Sequence, residues 1–228
     1  MGKRLVPCTV TIEACPLCGS DQHHPAKHPY YHECDACGLI FMTPRPTQEA
    51  YHKFYTSGYY RQTRSVGISD CDRDEMRRAR RVAKLVPKCA SHLDVGCSRG
   101  YLLELSARNG TQRILGVEPF RDWVKWGIPS VATIDEVEGE WDCITCIHTL
   151  EHTLEMVDVS QRMIKLLSPG GTLIVEVPNL SDMDRGYNQD GHVYYYRPQV
   201  IERLFEGLTL VKYWQDPQDI YTFTKTGD

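Results

Sequence analysis

The sequence predicts an α/β fold, an open and mainly parallel sheet with helices on both faces, behind a small N-terminal module built on cysteines. Three stretches carry that reading. His92-Leu-Asp-Val-Gly-Cys-Ser-Arg-Gly-Tyr101 runs from a short buried strand through a tight glycine turn into a helix. About twenty residues on, Arg113-Ile-Leu-Gly-Val-Glu118-Pro119 forms a second strand ending in an acid, as a βαβ unit does. Cys15-Pro-Leu-Cys18-Gly and Cys34-Asp-Ala-Cys37-Gly are two copies of one knuckle, separated by fifteen residues.

At 228 residues the chain can hold one full α/β domain and a small appendage. A hydrophobic share of 41% beside 25% charged residues is that of a soluble globular protein. No apolar run approaches a membrane span, and Met-Gly-Lys-Arg-Leu-Val-Pro has too short an apolar stretch for a secretory signal. Of ten cysteines, four make the knuckles, while Cys97, Cys143 and Cys146 fall in core or site segments. That placement points to a reducing cytoplasm rather than to disulfides. A net charge of −4 gives no global attraction to nucleic acid and leaves room for a local basic face.

Residues 1–46 form the first unit. Cys15, Cys18, Cys34 and Cys37 present four thiolates at a spacing that suits a structural, tetrahedral Zn2+ closed to water, a small zinc ribbon. His23, His24, His28 and His32 lie in the intervening loop and are expected in solvent, since four sulfurs suffice. Tyr30, Tyr31, Leu39, Ile40 and Phe41 give the module an apolar side for docking. It either grips nucleic acid or braces a lid.

Residues 47–87 form a connector. Pro44-Arg-Pro46 is a rigid exit into it. A short helix from Glu49 leads into an aromatic loop, and Tyr51, Tyr55, Tyr59 and Tyr60 either cap a pocket or pack between the two parts of the chain. Residues 61–70 are polar. Asp72 to Val86 is expected to be a helix with Met76, Ala79, Val82, Ala83 and Val86 on one side. Arg73, Arg77, Arg78, Arg80, Arg81 and Lys84 crowd the rest of it. They form either a phosphate-binding face or a solvated one, and the solvated reading is preferred.

Residues 88–228 form the main domain. Its first strand is His92–Val95, and Gly96 and Gly100 permit positive φ and let a ligand lie against bare backbone. The helix from Tyr101 to Asn109 packs through Leu102, Leu103 and Leu105, with Asn109-Gly110 as a left-handed stop. Asp94, at the strand's carboxyl end, is placed to hold an ammonium group, and Glu118 to accept both hydroxyls of a ribose. A helix at Arg121–Trp126 precedes a third strand, Ile128–Thr133, and then Ile134. Trp141–Ile147 is a buried fourth strand whose end delivers His148-Thr-Leu-Glu151-His152 into the same crevice. A helix from Met156 to Leu167, a turn at Ser168–Gly171 and a strand from Thr172 to Asn179 follow. Residues 181–191, with Asp182, Asp184, Asn188 and Asp190, form a substrate loop. Pro198 opens the last helix, Gln199–Glu206, and strands at Leu208–Trp214 and Ile220–Thr226 close the chain.

The pattern Asp94-x-Gly96-x-Ser98-x-Gly100 lacks the spacing of a pyrophosphate turn and resembles the glycine motif of class I S-adenosylmethionine-dependent methyltransferases. The succession Val-Glu-Pro119, Trp141-Asp-x-Ile-Thr, His148-Thr-Leu-Glu-His152, Leu167-Ser-Pro-Gly-Gly and Val177-Pro-Asn resembles one group of them over about residues 88–226. That group includes the quinone-biosynthesis O-methyltransferases and many sugar and secondary-metabolite methyltransferases. The cysteine pairs followed by a tyrosine-rich helix are similar to zinc-bearing members, notably sugar C-methyltransferases. Ser98 departs from the pattern, standing where many relatives have the middle glycine, a change that a negative φ would accommodate.

The resemblance implies a seven-stranded Rossmann-like sheet of order 3-2-1-4-5-7-6 with strand 7 antiparallel. It implies S-adenosylmethionine as cofactor: Asp94 and the backbone around Gly96 on its methionine part, Glu118 on the ribose, Ile134 near the adenine. Cys97, Ser98, Gly100, Pro119, Ile147 and His148 complete that lining. Methyl transfer is a direct displacement that rests mainly on alignment, with a base needed only for a hydroxyl or an acidic carbon. His152 and His192 are the base candidates, with Glu151 beside them. His-x-x-Glu-His is also the spacing of inverted zinc peptidases, but here it leaves a strand rather than lying mid-helix. In quinone-type relatives a Glu-x-x-Glu-His segment is linked to a divalent metal; His148 replaces the first glutamate, which leaves a second metal open. The expected acceptor is a small molecule, a sugar or secondary-metabolite hydroxyl or acidic carbon. The alternatives are a nucleic-acid methyltransferase using the zinc module and the arginine helix, or a non-catalytic cofactor-binding scaffold.

Overall fold

The computed structural model describes residues 7–56, 68–181, 191–215 and 218–227, with side chains for all of these except 56 and 68–72. The expectations for Tyr59, Tyr60, residues 61–67, Asp182, Asp184, Asn188 and Asp190 lie outside them. Two hairpin-length strands of the module, β1 (His23–Pro25) and β2 (Tyr31–Cys34), pair antiparallel, and β2 pairs with β3 (Ile40–Met42). The connector supplies α1 (Gln48–Thr56) and α2 (Ile68–Val82). Helix α2 starts earlier than expected and ends at Val82, four residues short of Val86, where Pro87 disfavours helical backbone in the residue before it.

In the main domain β4 (Ser91–Val95) feeds α3 (Tyr101–Arg108), then β5 (Arg113–Val117) and β6 (Ser130–Val131). Next come β7 (Trp141–Ile147), α4 (Met156–Leu166), β8 (Leu167–Val177), β9 (Tyr194–Tyr195), α5 (Pro198–Leu204), β10 (Thr209–Gln215) and β11 (Asp219–Thr224). The large sheet has the order β10-β11-β8-β7-β4-β5-β6. Counted from β4 this is 3-2-1-4-5-7-6, and β11 runs antiparallel to both neighbours. The central strands are buried on both faces, as parallel strands covered by helices must be: Leu93, Ile144, Cys146, Leu173 and Val175 are fully buried on one face, and His92, Cys143, Thr145, Ile174 and Glu176 on the other.

Five local expectations need correction. The helix at Arg121–Trp126 is one 3-10 turn, Arg121–Trp123, and the third strand shrinks to Ser130–Val131. Gly127 and Pro129 interrupt both. Ser168–Gly171 is drawn into β8 as a bulge: Trp141 pairs with Leu167, yet Cys143 pairs with Thr172. Asn109 is not left-handed (φ −87°); Gly110 alone makes the stop at φ 101°. Finally, the stretch before Pro198 is not only a loop. Its β9 pairs with β3, Ile40 against Tyr195 and Phe41 against Tyr194, so the main domain completes the module's sheet.

Candidate active site

Parallel pairing sets Asp94 of β4 beside Gly116 of β5 and Thr145 of β7, at the carboxyl edge of the sheet. Gly96 follows at φ 77°, and a Cβ there would meet Thr149 Oγ1 at 2.0 Å, so this position requires glycine. The turn is tied to β5 by Gly96 N–H and Cys97 N–H, which both donate to the Val117 carbonyl, at 2.8 and 3.1 Å. Ser98 does not have the negative φ its substitution for glycine called for; it sits at φ 48°. Two bonds hold it there. Its N–H donates to Glu118 Oε2 at 3.1 Å and its hydroxyl to Glu75 Oε1 at 3.3 Å.

Glu118 also accepts the Phe120 N–H on Oε1 at 3.0 Å, so both carboxylate oxygens are fixed. Burial raises its pKa, and those backbone donors oppose the rise. Asp94 is 4% exposed and accepts the Thr145 hydroxyl at 2.6 Å. Thr145 in turn lies 2.9 Å from His92 Nε2, whose Nδ1 is 2.7 Å from Ser106 Oγ. Burial first, with Glu118 nearby adding to it and Thr145 opposing, pushes the Asp94 carboxyl up to about 7. A buried acid so poised binds a cation more readily than it stands alone as an anion.

Asp94, Gly96, Cys97, Ser98 and Ile147 line one cavity of about 70 Å³ with Tyr101 and Leu102. Its roof is the inner stripe of α2: Glu75, Arg78, Ala79 and Val82. Gly100, at φ 76°, is the residue before α3. Pro119 follows Glu118, while Ile134 is buried in the apolar core and is not among the lining residues. His148 also points elsewhere. It has φ 51°, and its two ring nitrogens reach Glu151 Oε1 at 3.1 Å and Glu176 Oε1 at 2.9 Å. Arg81 of α2 closes the row, with Nη2 2.7 Å from both oxygens of Glu176. Burial alone would lower the His148 pKa, but the two carboxylates raise it. Burial would likewise raise Glu151, yet His148, His152 and His192 bring it down to about 2. The result is a row of alternating charge, Arg81, Glu176, His148, Glu151, buried from Glu176 onward.

The row ends at the candidate catalytic residues. Leu150–His152 is a single 3-10 turn leaving β7. His152 Nδ1 is 2.7 Å from the Gly191 carbonyl, a group that can only accept, so Nδ1 carries a proton and Nε2 is the free nitrogen of the neutral ring. That Nε2 lies 3.9 Å from Glu151 Oε1. Tyr55 OH is 2.9 Å from the same Nδ1, and the Tyr51 hydroxyl donates to the Gly191 carbonyl. Tyr55 also stacks on Phe120, just past Glu118. His192 packs on His152 with ring centroids 4.8 Å apart; burial first, and then the neighbouring His152 ring whenever that is protonated, lower its pKa to about 3, so it stays neutral. One ligand atom each from Glu151, His152 and His192 lie within 4.8 Å of one another. Glu151 Oε2 is buried with no hydrogen-bond partner among the described residues.

The sequence missed the roles of four participants. Glu176 had a signal, a lone charge inside the apolar run Thr172–Val177. Arg81 had none, since nothing in the helix separates it from its exposed neighbours. The hydroxyl roles of Tyr51 and Tyr55 depend on a long-range contact.

In the module, Cys15 Sγ lies 3.5 Å from Cys37 Sγ and Cys18 Sγ 3.5 Å from Cys34 Sγ, and all four sulfurs fall within 4.8 Å. Sulfurs about 2.3 Å from a tetrahedral ion would be separated by roughly 3.8 Å, so the donor set fits zinc. Burial pushes the Cys15 thiol up to about 11, a cost that a bound cation would reverse. The histidines stand apart from the sulfurs but are not all in open solvent: His23 and His32 pair through Nδ1 at 2.8 Å and are half-buried, and His24 meets Asp35.

A family model described as a methyltransferase domain matches residues 72–213. The ubiquinone biosynthesis O-methyltransferase of Pectobacterium atrosepticum is 34% identical over 101 residues, 38% of this chain and 42% of that protein. The protein of the same name from Xanthomonas axonopodis pv. citri is 31% identical over 112 residues, 42% of this chain and 46% of its own. The matched region thus spans less than half the length of these curated relatives. Among solved structures, the N-methyltransferase NodS from Bradyrhizobium japonicum WM9 aligns with a TM-score of 0.51 at 22% identity, covering 68% of this chain and 96% of that one. Magnesium protoporphyrin IX methyltransferase from Synechocystis PCC 6803, with bound SAH, gives 0.57 at 15% identity over 78% and 99%. These structural likenesses show a shared fold.

Proposed function

The chain belongs to the class I S-adenosylmethionine-dependent methyltransferase family, and on that footing we propose that it methylates a hydroxyl or acidic carbon of a small molecule. The observation that carries this is the adjacency of two sites at one sheet edge: the Asp94–Gly96–Glu118 corner and the His152 cluster. When bound, S-adenosylmethionine supplies an electrophilic methyl group on a sulfonium. Asp94 holds the ammonium end, the backbone at Gly96 admits close approach, and Glu118 orients the ribose hydroxyls. With Nδ1–H committed to Gly191, the neutral His152 ring presents Nε2 as its basic nitrogen, which takes the acceptor's proton, and Glu151 stabilises the imidazolium that forms. Because α2 roofs a cavity of only about 70 Å³, the stripe from Glu75 to Val82 withdraws to admit the cofactor.

The quinone methyltransferase relatives support a small-molecule acceptor, and sugar or secondary-metabolite acceptors fit the same chemistry. A second reading of the acceptor site is favoured by the orphaned Glu151 Oε2: a divalent ion held by Glu151, His152 and His192, orienting the acceptor oxygen. In the module, Cys15, Cys18, Cys34 and Cys37 would hold a structural zinc. Thiols kept reduced for that purpose fit a cytoplasmic setting.

The test is methyl transfer from labelled cofactor to phenolic, sugar-nucleotide and RNA acceptors, after metal analysis of the purified protein. Label in a small molecule supports the reading. Label in RNA alone would overturn it, and cofactor binding without label in any acceptor would favour a scaffold.

A further inference from the structure

A second site lies on the outside of α2. Arg73, Met76, Arg77, Arg80 and Lys84 fall at i, i+3, i+4, i+7 and i+11, so they share one stripe. With Arg81 and Tyr101 they line a groove of about 780 Å³ to which, among the described residues, five cationic side chains and no acidic one contribute. This stripe is next to the one that roofs the cofactor cavity, and Tyr101 belongs to both linings.

Three of these cations, Arg77, Arg80 and Lys84, are not committed to the interior. Arg81 is committed to Glu176, and Arg77 has only a surface pair with Asp74, the two side chains 79% and 67% exposed. Such a pair contributes little. Arg80 and Lys84 are exposed and have no ion-pair partner among the described residues. Concentrating like charges this way disfavours the folded state, and an anion in the groove relieves it. Guanidinium forks flanked by an aromatic ring suit phosphate oxygens next to a planar group.

We propose that this groove is a binding site for the phosphates of a small nucleotide-like ligand. Length decides against a nucleic-acid strand. From Arg73 to Lys84 the stripe covers about 16 Å, room for two or three phosphates. A longer polyanion would run onto the surface of a chain whose 30 acidic residues outnumber its 26 lysines and arginines. This site stands independently of methyl transfer.

Calorimetric titration of inorganic pyrophosphate, ADP and a single-stranded RNA oligomer at low ionic strength tests it, in protein saturated with S-adenosylhomocysteine. Pyrophosphate and ADP should bind without displacing S-adenosylhomocysteine, and more weakly as salt is raised. The double substitution Arg80→Glu and Lys84→Glu, and separately Arg77→Glu, should weaken pyrophosphate roughly tenfold or more and leave S-adenosylhomocysteine affinity unchanged, which also reports intact folding. No binding of pyrophosphate, equal binding by the variants, or RNA binding about a hundredfold tighter than ADP would overturn the assignment. Loss of S-adenosylhomocysteine binding with pyrophosphate binding intact would instead strike the methyl-transfer reading and leave this one standing.

Discussion

Cofactor affinity should depend on pH through Asp94, and the size of the effect follows from its surroundings. In the free protein burial, reinforced by Glu118, holds this carboxyl at about 7 although Thr145 donates to it. Pairing with the cofactor's ammonium group requires the ionised form, so below pH 7 each bound ligand must first expel a proton. Affinity then falls tenfold per pH unit, and at pH 5.5 it should be about thirtyfold weaker than on the plateau above pH 7.5, roughly 2 kcal/mol. The sign is fixed: a carboxyl raised in the free state and lowered by its ligand gives binding that improves as pH rises. Titration calorimetry with S-adenosylhomocysteine from pH 5.5 to 7.5 measures it. Asp94→Asn should bind weakly and lose most of the slope, with a remainder from Glu118, whose carboxyl is also raised. An affinity constant within twofold over that range in the unmodified protein would refute the assignment of Asp94 to the ammonium.

Three further outcomes are expected. Arg81→Met leaves the fully buried Glu176 with His148 as its remaining cation; because Arg81 itself is 32% exposed, the loss should be about 2–3 kcal/mol, seen as a melting point lower by roughly 4–10 °C, and a change under about 0.5 kcal/mol would show the pair to be idle. His152→Ala should reduce turnover by about 10²–10⁴-fold with cofactor affinity unchanged, measured by comparing kcat with calorimetric Kd; a milder loss is expected for Tyr55→Phe, which removes only the hydroxyl beside Nδ1. Cys34→Ser or prolonged chelation should abolish zinc content by mass spectrometry and expose the β1–β3 sheet to proteolysis, whereas unchanged protease resistance would separate the metal from the folding of the module.

What the residues disclosed in advance was whatever is local. The β4 turn, β7 and the cysteine knuckles are short-range patterns, and each occupies the stretch its residues mark out. Sheet order came from the family resemblance, since spacing alone does not rank parallel strands. The errors arose where neighbours in space decide the outcome. Ser98 takes a left-handed φ because Glu118 and Glu75 reward it with two hydrogen bonds. The bulge at Ser168–Gly171 answers to the β7 register, and β9 forms because β3 offers it an edge.

That shared edge ties the cysteine module to the chemistry of the main domain. Phe41 pairs with Tyr194 across it, and the buried Tyr31 hydroxyl donates to the His192 carbonyl at 2.7 Å. Val193 N–H donates to the Glu151 carbonyl at 2.7 Å, so the backbone on either side of His192 is fixed, by the module on one side and by the 3-10 turn on the other. From the opposite direction, Arg81 reaches the same turn through Glu176 and His148. The row carries two positive and two negative charges and is neutral before reaction. A proton arriving at His152 Nε2 therefore adds one cation beside Glu151, an acid already held ionised in a dry site where that attraction is strongest. On this account neither the module nor α2 touches the acceptor; both decide where the imidazole stands and which charge it meets when it accepts the proton.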